Sequence, residues 1–212
     1  MRNLIFHEFR VQNKIYNITK YIFIFFIFCC LSITLINAYE NMQIFGVIFA
    51  VISIPLALIS ISNSLIKPDI EDGSLETLIT TSTAVQIILA KYISLCICCC
   101  LSFFLTLPII YVIYNIELNI FIIMVSSGLI LLFLSAALIT LISSIQSYFR
   151  SNTNFLSILI MPLLIPNIIL SGLFLQNNTD LHLLFIMLGI DLVIIPPALY
   201  LSSYLVENIY NI

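Results

Sequence analysis

The residues best suited to binding chemistry lie in one short segment, KPDIEDGSLE, at positions 67–76. Four of these residues are acidic, whereas the whole chain of 212 residues contains ten Asp and Glu. Long apolar runs flank the segment on both sides. Because so many charges cannot be buried unpaired, the segment is predicted to lie in water at a membrane surface, where it could bind a soluble partner.

The pattern within this segment predicts a short amphipathic helix over residues 74–81. The acidic residues that precede it suit the positive end of a helix dipole: Asp69, Glu71 and Asp72. An apolar stripe follows at spacings of three and four residues: Leu75, Leu78 and Ile79. Gly73 permits a tight turn or the close approach of a partner. The segment could be a capped, solvated loop, but its patterning favours a docking element for a subunit with a basic surface.

The composition indicates an integral membrane protein. Hydrophobic residues make up 62% of the chain and charged residues 8%, with a mean hydropathy of +1.20. Soluble domains carry about 25% charged residues, which this chain is far from supplying. Its seven Lys and Arg form no basic surface, so no nucleic-acid binding is predicted.

Hydropathy predicts an all-α bundle of six membrane-spanning helices in a single domain, residues 1–212. The predicted spans cover residues 21–38, 42–66, 87–114, 119–145, 155–175 and 181–206. Residues 67–86 form the loop between the second and third spans. The second span must end at or before Pro68, because proline disfavours helix in the residue that precedes it.

The basic residues assign an orientation to this bundle. They all fall on one side of the predicted spans: Arg2, Arg10, Lys14, Lys20, Lys67, Lys91 and Arg150. The opposite side carries acidic residues instead: Glu40, Glu117 and Asp180. By the positive-inside rule, both termini and the loop 67–86 are predicted to be cytoplasmic.

Residues 1–20 are predicted to form an interfacial helix that precedes the first span. Apolar residues such as Leu4, Ile5 and Phe9 recur at helical spacings among charged ones. A mobile tail is the alternative for this segment.

No motif for energised or catalytic chemistry is present in the sequence. The Walker A pattern is absent, and five Gly in the whole chain leave no glycine-rich loop for phosphates. Neither H-E-x-x-H nor C-x-x-C-H occurs. The chain is therefore predicted not to be an enzyme, with no catalytic residues, and any energy must come from a separate subunit.

Cysteine and histidine offer weak candidates for ligand binding. Cys96, Cys99 and Cys100 would share one helix face, but all six Cys lie in apolar runs, where packing explains them better than a metal site. No metal site is predicted. Of the two His, His182 near the outer end of the sixth span is the better candidate for a haem contact.

Asp191 is a possible polar site inside the membrane. It lies about ten residues into the sixth predicted span, roughly 15 Å along a helix. A charged aspartate there is unfavourable, so it should face protein or a polar cavity, or be protonated. A role in a substrate path and a contact with Ser or Asn of a neighbouring helix are both open.

The stretch DIEDGSLETLITTS, at 69–82, resembles the first cytoplasmic loop of the haem exporter protein B family (CcmB). Members are membrane subunits of an ABC transporter in cytochrome c maturation. The matching residues are Glu71, Asp72, Gly73, Ser74, Leu75 and Glu76. The Ser/Thr run that follows lacks the family's usual Pro. A related E-x-G-[ST]-L-E loop occurs in the broader ABC-2 permease class, whereas the compact size of this chain favours CcmB.

The resemblance implies an ABC-2-type permease whose loop acts as a coupling helix in a groove of an ATPase subunit. The residues it assigns to that contact are Asp69, Glu71, Asp72, Gly73, Ser74, Leu75 and Glu76. Partners would be a CcmA-like ATPase that holds the ATP, and CcmC-like and CcmD-like membrane proteins. Haem would be handled rather than bound as a cofactor, at the bacterial inner membrane or a mitochondrial one. The alternatives are an ABC-2 exporter of drugs or lipids and a non-transporting scaffold for haem-handling proteins.

Overall fold

The computed structural model describes residues 1–34, 42–149, 161–176 and 181–209, and every regular element within them is helical. The α-helices are α1 (Arg2–Arg10), α2 (Ile18–Thr34), α3 (Met42–Ser60), α4 (Lys67–Glu71), α5 (Ser74–Thr81), α6 (Ala84–Tyr114), α7 (Leu118–Tyr148), α8 (Met161–Gln176) and α9 (Leu181–Asn208). A π-helical turn (Val11–Ile15) follows α1, and a 3-10 turn (Ser62–Ser64) follows α3. The prediction of an all-helical membrane fold is confirmed for this part of the chain.

Three helices, α6, α7 and α9, are long and apolar enough to cross a membrane. Two bent pairs raise the number to five if each pair forms one crossing: α1 with α2, bent by 57°, and α3 with α4, bent by 44°. The apolar helix α8 lies at the predicted fifth span but is shorter. The chain is a multi-pass membrane protein, while six crossings with both termini in the cytoplasm stay a prediction.

The second apolar helix, α3, ends at Ser60, before the limit of 66 that hydropathy predicts. A run of polar residues follows it, and the hydroxyls turn back on the local backbone. Ser60 Oγ donates to the Ala57 carbonyl at 2.6 Å, and Ser64 Oγ donates to the Ile61 carbonyl at 2.7 Å. Such bonds compete with continued helix, so the chain bends here. Several residues used in the predicted topology lie outside the described residues: Glu40 and Asp180, which are predicted on the outer side, the basic Arg150, and the first part of the predicted fifth span.

Helix α7 is the centre of the bundle, and α9 is peripheral. The most apolar window of α7 is 72% buried inside the protein, against 17% for α9. Helix α7 contacts α3, α6, α8 and α9, whereas α9 packs mainly on α7. The exposed apolar side of α9 must therefore be covered by lipid or by another protein.

Small residues allow α7 its central position. Gly128 lies so close to α6 that an added Cβ would stand 2.8 Å from Phe103 Cζ. Serine hydroxyls on α7 bond to backbone within the helix; for example, Ser127 Oγ donates to the Ile123 carbonyl at 2.9 Å. Helix packing in membranes depends on such small residues, because the hydrophobic effect does not drive one apolar helix onto another there.

A tight turn joins α6 to α7 and carries an exposed charge. Asn115 adopts the left-handed conformation, with φ of 47°, and ends α6. Glu117, which is exposed, then precedes the first residue of α7. This turn lies at the end of α6 opposite the acidic loop, about 46 Å away along a helix of 31 residues.

Candidate functional site

The acidic loop folds as two short helices, α4 and α5, joined by a turn. The helix predicted over 74–81 is present as α5. Asp69 and Glu71, which the sequence pattern places before that helix, belong to a helix of their own, α4. Pro68 allows this because it occupies the first turn of α4, where a missing N–H has no helical partner to lose. Ser74 Oγ donates to the Asp69 carbonyl at 3.3 Å and ties the two helices together.

Gly73 forms the turn between α4 and α5 in the left-handed conformation, with φ of +71°. No atom lies within 4 Å of the position that a Cβ would take, so the requirement for glycine is conformational. We expect Gly73→Ala to lower the free energy of unfolding by about 1–2 kcal/mol. The matched control is Gly172→Ala, within α8 and also in open space, which should raise it by about 0.5–1 kcal/mol. Thermal unfolding of the purified variants measures both, and equal effects would contradict the strained turn.

The loop residues divide into an outer and an inner set. Glu71, Asp72 and Glu76 are exposed, whereas Asp69 is buried and Leu75 is fully buried. The other apolar residues of the predicted stripe, Leu78 and Ile79, also pack against the core: both are half-buried. The loop is therefore seated on the bundle by its apolar side and by Asp69, and it presents the remaining carboxylates outward.

The inner side of the loop is fixed by a buried lysine, Lys91 of α6. Lys91 Nζ donates to Glu8 Oε2 on α1 at 3.0 Å and to Asp69 Oδ2 on α4. The side chains of Lys91 and Glu8 are 2% and 3% exposed, and that of Asp69 is 9% exposed. We call these three residues the ion triad. It joins three helices that are far apart in sequence, and its two carboxylates and one ammonium leave one net negative charge.

Backbone contacts strengthen the same junction. Gln12, in the π-helical turn after α1, donates from Nε2 to the Lys91 carbonyl at 3.3 Å.

Lys91 is the eighth residue of α6, so it lies about 10 Å from the start of that helix. At 31 residues, α6 is about 46 Å long and exceeds a hydrocarbon core of about 30 Å. The triad therefore fits the part of α6 that extends beyond the lipid tails.

A cleft of about 370 Å³ separates α1 from the acidic loop. Its polar lining includes His7, Glu8, Tyr16, Asp69, Asp72 and Thr77. Burial raises the pKa of the Tyr16 phenol, and the Asp69 carboxylate adds to the rise, so this phenol is neutral at neutral pH. Two members of the ion triad, Glu8 and Asp69, therefore line a cleft that a molecule approaching the loop could enter.

Sequence reasoning missed the ion triad. It used Lys91 as a marker of orientation and placed Glu8 on the polar side of an interfacial helix. In the structure the buried face of α1 carries Glu8, and Phe6 is 69% exposed. One signal was available: Lys91 is the sole charge in the 31 residues of α6, and a lysine within such an apolar run requires buried partners.

The predicted intramembrane polar residue, Asp191, is buried and contacts α8. Asn167 Nδ2 donates to Asp191 Oδ1 at 2.6 Å. This pair lies in the contact between α8 and α9. Of the two possibilities left by the sequence, the structure supplies a side-chain contact with an asparagine of a neighbouring helix.

The histidine and cysteine candidates are not brought together. His182 is exposed in the first turn of α9, about 14 Å along the helix from Asp191. The cysteines of α6 are unbridged; Cys96, Cys98 and Cys99 are buried among apolar side chains. Among the described residues, no group of three His, Cys, Asp or Glu could hold a metal ion.

Comparison with known proteins identifies the family. Residues 1–200 match the family described as CcmB protein. An uncharacterized protein of Rickettsia conorii is 48% identical over 209 residues, which cover 99% of this chain and 97% of that protein. An uncharacterized protein of Rickettsia prowazekii is 47% identical over 210 residues, with the same shares of both chains. With a match over almost its full length and an acidic loop of the family's type, this chain belongs to the CcmB protein family.

Proposed function

We propose that this protein is the permease subunit of an ABC transporter that acts in haem export and delivery for c-type cytochrome biogenesis. Membership of the CcmB family supports a place in the membrane part of the haem export machinery. The observation that carries the proposal is the two-sided acidic loop. Its outer side presents carboxylates, and its inner side is fixed to α6 by the ion triad.

The outer side of the loop suits a basic protein surface. Glu71, Asp72 and Glu76 are exposed. The one basic residue of the loop is Lys67, whose Nζ lies 3.7 Å from Glu71 Oε1. The exposed charges of residues 67–82 therefore sum to −2, from three carboxylates and one ammonium. Opposite charge on a partner would orient its docking and slow its dissociation. We assign these residues, with Gly73 and Ser74, to a coupling element that contacts a partner.

The partner is a separate ATPase subunit of the CcmA type. The chain has no phosphate-binding motif of its own, so a transporter built from it needs ATP hydrolysis elsewhere. A coupling element seated in a groove of that subunit would receive its movement. In this scheme Leu75 and Asp69 hold the element on the permease, because both are buried against the bundle.

The ion triad transmits the movement to the spans. If α4 moved away from α6, Asp69 would lose its cation and Lys91 would keep only Glu8. Breaking a buried ion pair in this way costs about 3–5 kcal/mol. A displacement of the loop that supplies less free energy than this cost therefore moves α4, α6 and the start of α1 together. Because α6 reaches from Lys91 to Tyr114, displacement at the loop is carried to the opposite end of the bundle.

The further partners follow from the same family. We propose CcmC-like and CcmD-like membrane proteins as neighbours in the complex, and haem as the handled substrate rather than a resident cofactor. His182, exposed at the start of α9, is the residue of this chain that we propose for a haem contact. Both relatives come from bacteria, which favours the bacterial inner membrane over a mitochondrial one.

Reversing two outer charges tests the docking of the ATPase. We expect Glu71→Lys together with Glu76→Lys to reduce co-purification of the ATPase subunit at least about tenfold, because like charges would then face each other. Accumulation of c-type cytochromes should fall in parallel. The matched control is Glu117→Lys, an exposed glutamate at the other end of α6, which should change neither measurement.

The outcomes of this experiment separate the possible functions. Unchanged co-purification and normal cytochromes would contradict the proposed docking role of the loop. Loss of the ATPase with normal cytochromes would favour a scaffold whose work needs no ATP. Loss of both, with Glu117→Lys unaffected, is the result that the permease function requires.

A further inference from the structure

The contact between α8 and α9 contains a carboxyl group without a counter-charge. Asp191 is the eleventh of the 28 residues of α9, and it is 5% exposed. Within the described residues, no Lys, Arg or His forms an ion pair with it. Lys91, the lysine of the neighbouring span, is already shared by Glu8 and Asp69. As a carboxylate, Asp191 would be an isolated charge among apolar helices, which is unfavourable.

Its partner, Asn167, has a missing hydrogen bond. The Asn167 side chain is fully buried, and its Nδ2 donates to Asp191 Oδ1 at 2.6 Å. The other amide atom, Asn167 Oδ1, accepts no hydrogen bond from any described residue. A buried acceptor without a donor is destabilising, because it has lost its hydrogen bonds to water. The pair therefore combines an unfavourable charge on Asp191 with an unsatisfied oxygen on Asn167.

A single proton resolves both defects. A carboxylic acid and a primary amide have complementary edges, each with one donor and one acceptor. With a proton on Oδ2, Asp191 can donate to Asn167 Oδ1 while it accepts from Nδ2. Exchanging the oxygen and nitrogen of the amide does not remove the need, because an acceptor would then face Asp191 Oδ1. With the partners that the described residues offer, either orientation of the amide leaves a buried acceptor unpaired when Asp191 is ionised.

Among the described residues around Asp191, no charged group would favour the carboxylate. On α6, Tyr92 lies within electrostatic reach of Asp191, and it is neutral at neutral pH, as is its neighbour Cys96. Helix α8 has no titratable residue, and the titratable residue of α7 is Tyr148 at its last position. On α9 itself, the nearest titratable residues are His182 and Tyr200, each nine positions away.

We infer that Asp191 and Asn167 form a proton-binding site between α8 and α9, in which Asp191 is held as a carboxylic acid at neutral pH. Loss of the proton would place a charge in this contact and remove one of its two hydrogen bonds. Proton binding is thereby linked to the packing of the two helices. The ligand is the proton alone, and the inference does not depend on the proposed transport of haem.

Infrared difference spectroscopy tests the site directly in the purified, full-length protein. A protonated carboxyl group gives a C=O stretch well separated from the amide band, and carboxylates do not. At pH 7 we expect wild type to show this band and Asp191→Asn to lose one carboxyl's intensity. An ordinary exposed aspartate, with a pKa of about 3.9, would be ionised at that pH. The band should move in ²H₂O, because the proton exchanges.

Two further variants define the outcome. Asn167→Val, which removes the amide, should shift the Asp191 band to higher wavenumber, because the carbonyl loses its hydrogen bond. Glu117→Gln, at an exposed site, should leave the protonated-carboxyl band at pH 7 unchanged. If Asp191→Asn has the same intensity in the protonated-carboxyl band as wild type at pH 7, Asp191 is ionised and the inference is wrong. If Asn167→Val leaves the band unmoved, Asn167 is not part of the site.

Discussion

Replacing Lys91 by methionine should lower the free energy of unfolding by about 3–5 kcal/mol, the largest effect that we expect for a single residue of this protein. The substitution keeps the length of the side chain and removes its charge. Glu8 and Asp69 would then be two buried carboxylates without a cation, since Lys91 contacts both. Unfolding of the purified protein in detergent, followed by circular dichroism, measures the loss.

A triple variant separates the charge from the packing. Lys91→Met with Glu8→Met and Asp69→Leu leaves no charge in the cluster, and replacement of a complete buried ion cluster by apolar residues of similar volume is often close to neutral in stability. We therefore expect the triple variant to recover most of the loss. If Lys91→Met alone costs less than about 1 kcal/mol, the ammonium is not buried between the two carboxylates.

The same triple variant tests whether the triad transmits movement. Its outer carboxylates Glu71 and Glu76 are unchanged, so the ATPase subunit should still co-purify. Without the ion pairs, α4 can separate from α6 at little cost, so c-type cytochromes should decrease although the complex assembles. Normal cytochrome levels in a stable triple variant would limit the triad to a structural role.

Replacing Gly46 by alanine should be the second large effect, with a loss of about 1–3 kcal/mol. A Cβ at Gly46 would lie 2.6–2.7 Å from three ring carbons of Tyr114. This ring cannot move aside easily, because it is 3% exposed and its hydroxyl donates to the Cys30 carbonyl at 2.5 Å. The same substitution at Gly172, in open space, should stabilise the protein.

A double-mutant cycle identifies the ring as the cause. Tyr114→Leu removes the atoms that the new methyl group would meet, so Gly46→Ala should cost much less in that background. We expect a favourable coupling free energy of at least about 0.5 kcal/mol between the two substitutions. Additive losses would mean that the backbone at Gly46, rather than the Tyr114 ring, opposes the alanine.

The sequence by itself determined the local features of this protein. Apolar runs of about 20 residues predicted membrane helices, because a helix of that length satisfies its own backbone within lipid. The spacing of Leu75, Leu78 and Ile79 predicted α5, and Leu75 is indeed fully buried. The motif around Gly73 was sufficient to indicate the family. Each of these features depends on residues within a few turns of one another.

Helix ends were predicted less well than helix centres. A single polar side chain that bonds to the local backbone can end a helix. Hydropathy averages over about 20 residues and extended the second span to 66, whereas the helix ends at Ser60. The buried face of α1 carries Glu8 because Lys91 lies beneath it, and no pattern within residues 1–20 contains that lysine.

Only the tertiary structure decided which charges are internal. Lys91 contacts Asp69 across 22 positions and Glu8 across 83, and Asn167 meets Asp191 across 24. Periodicity places a residue on a helix face but does not say which helix lies opposite, since the choice depends on the packing of the whole bundle. The sequence therefore determined that residues 67–76 form an acidic segment that leads into α5, and the structure added the helix α4. The structure decided that Asp69 fastens this element to α6, because burial forces each charge to meet an opposite one.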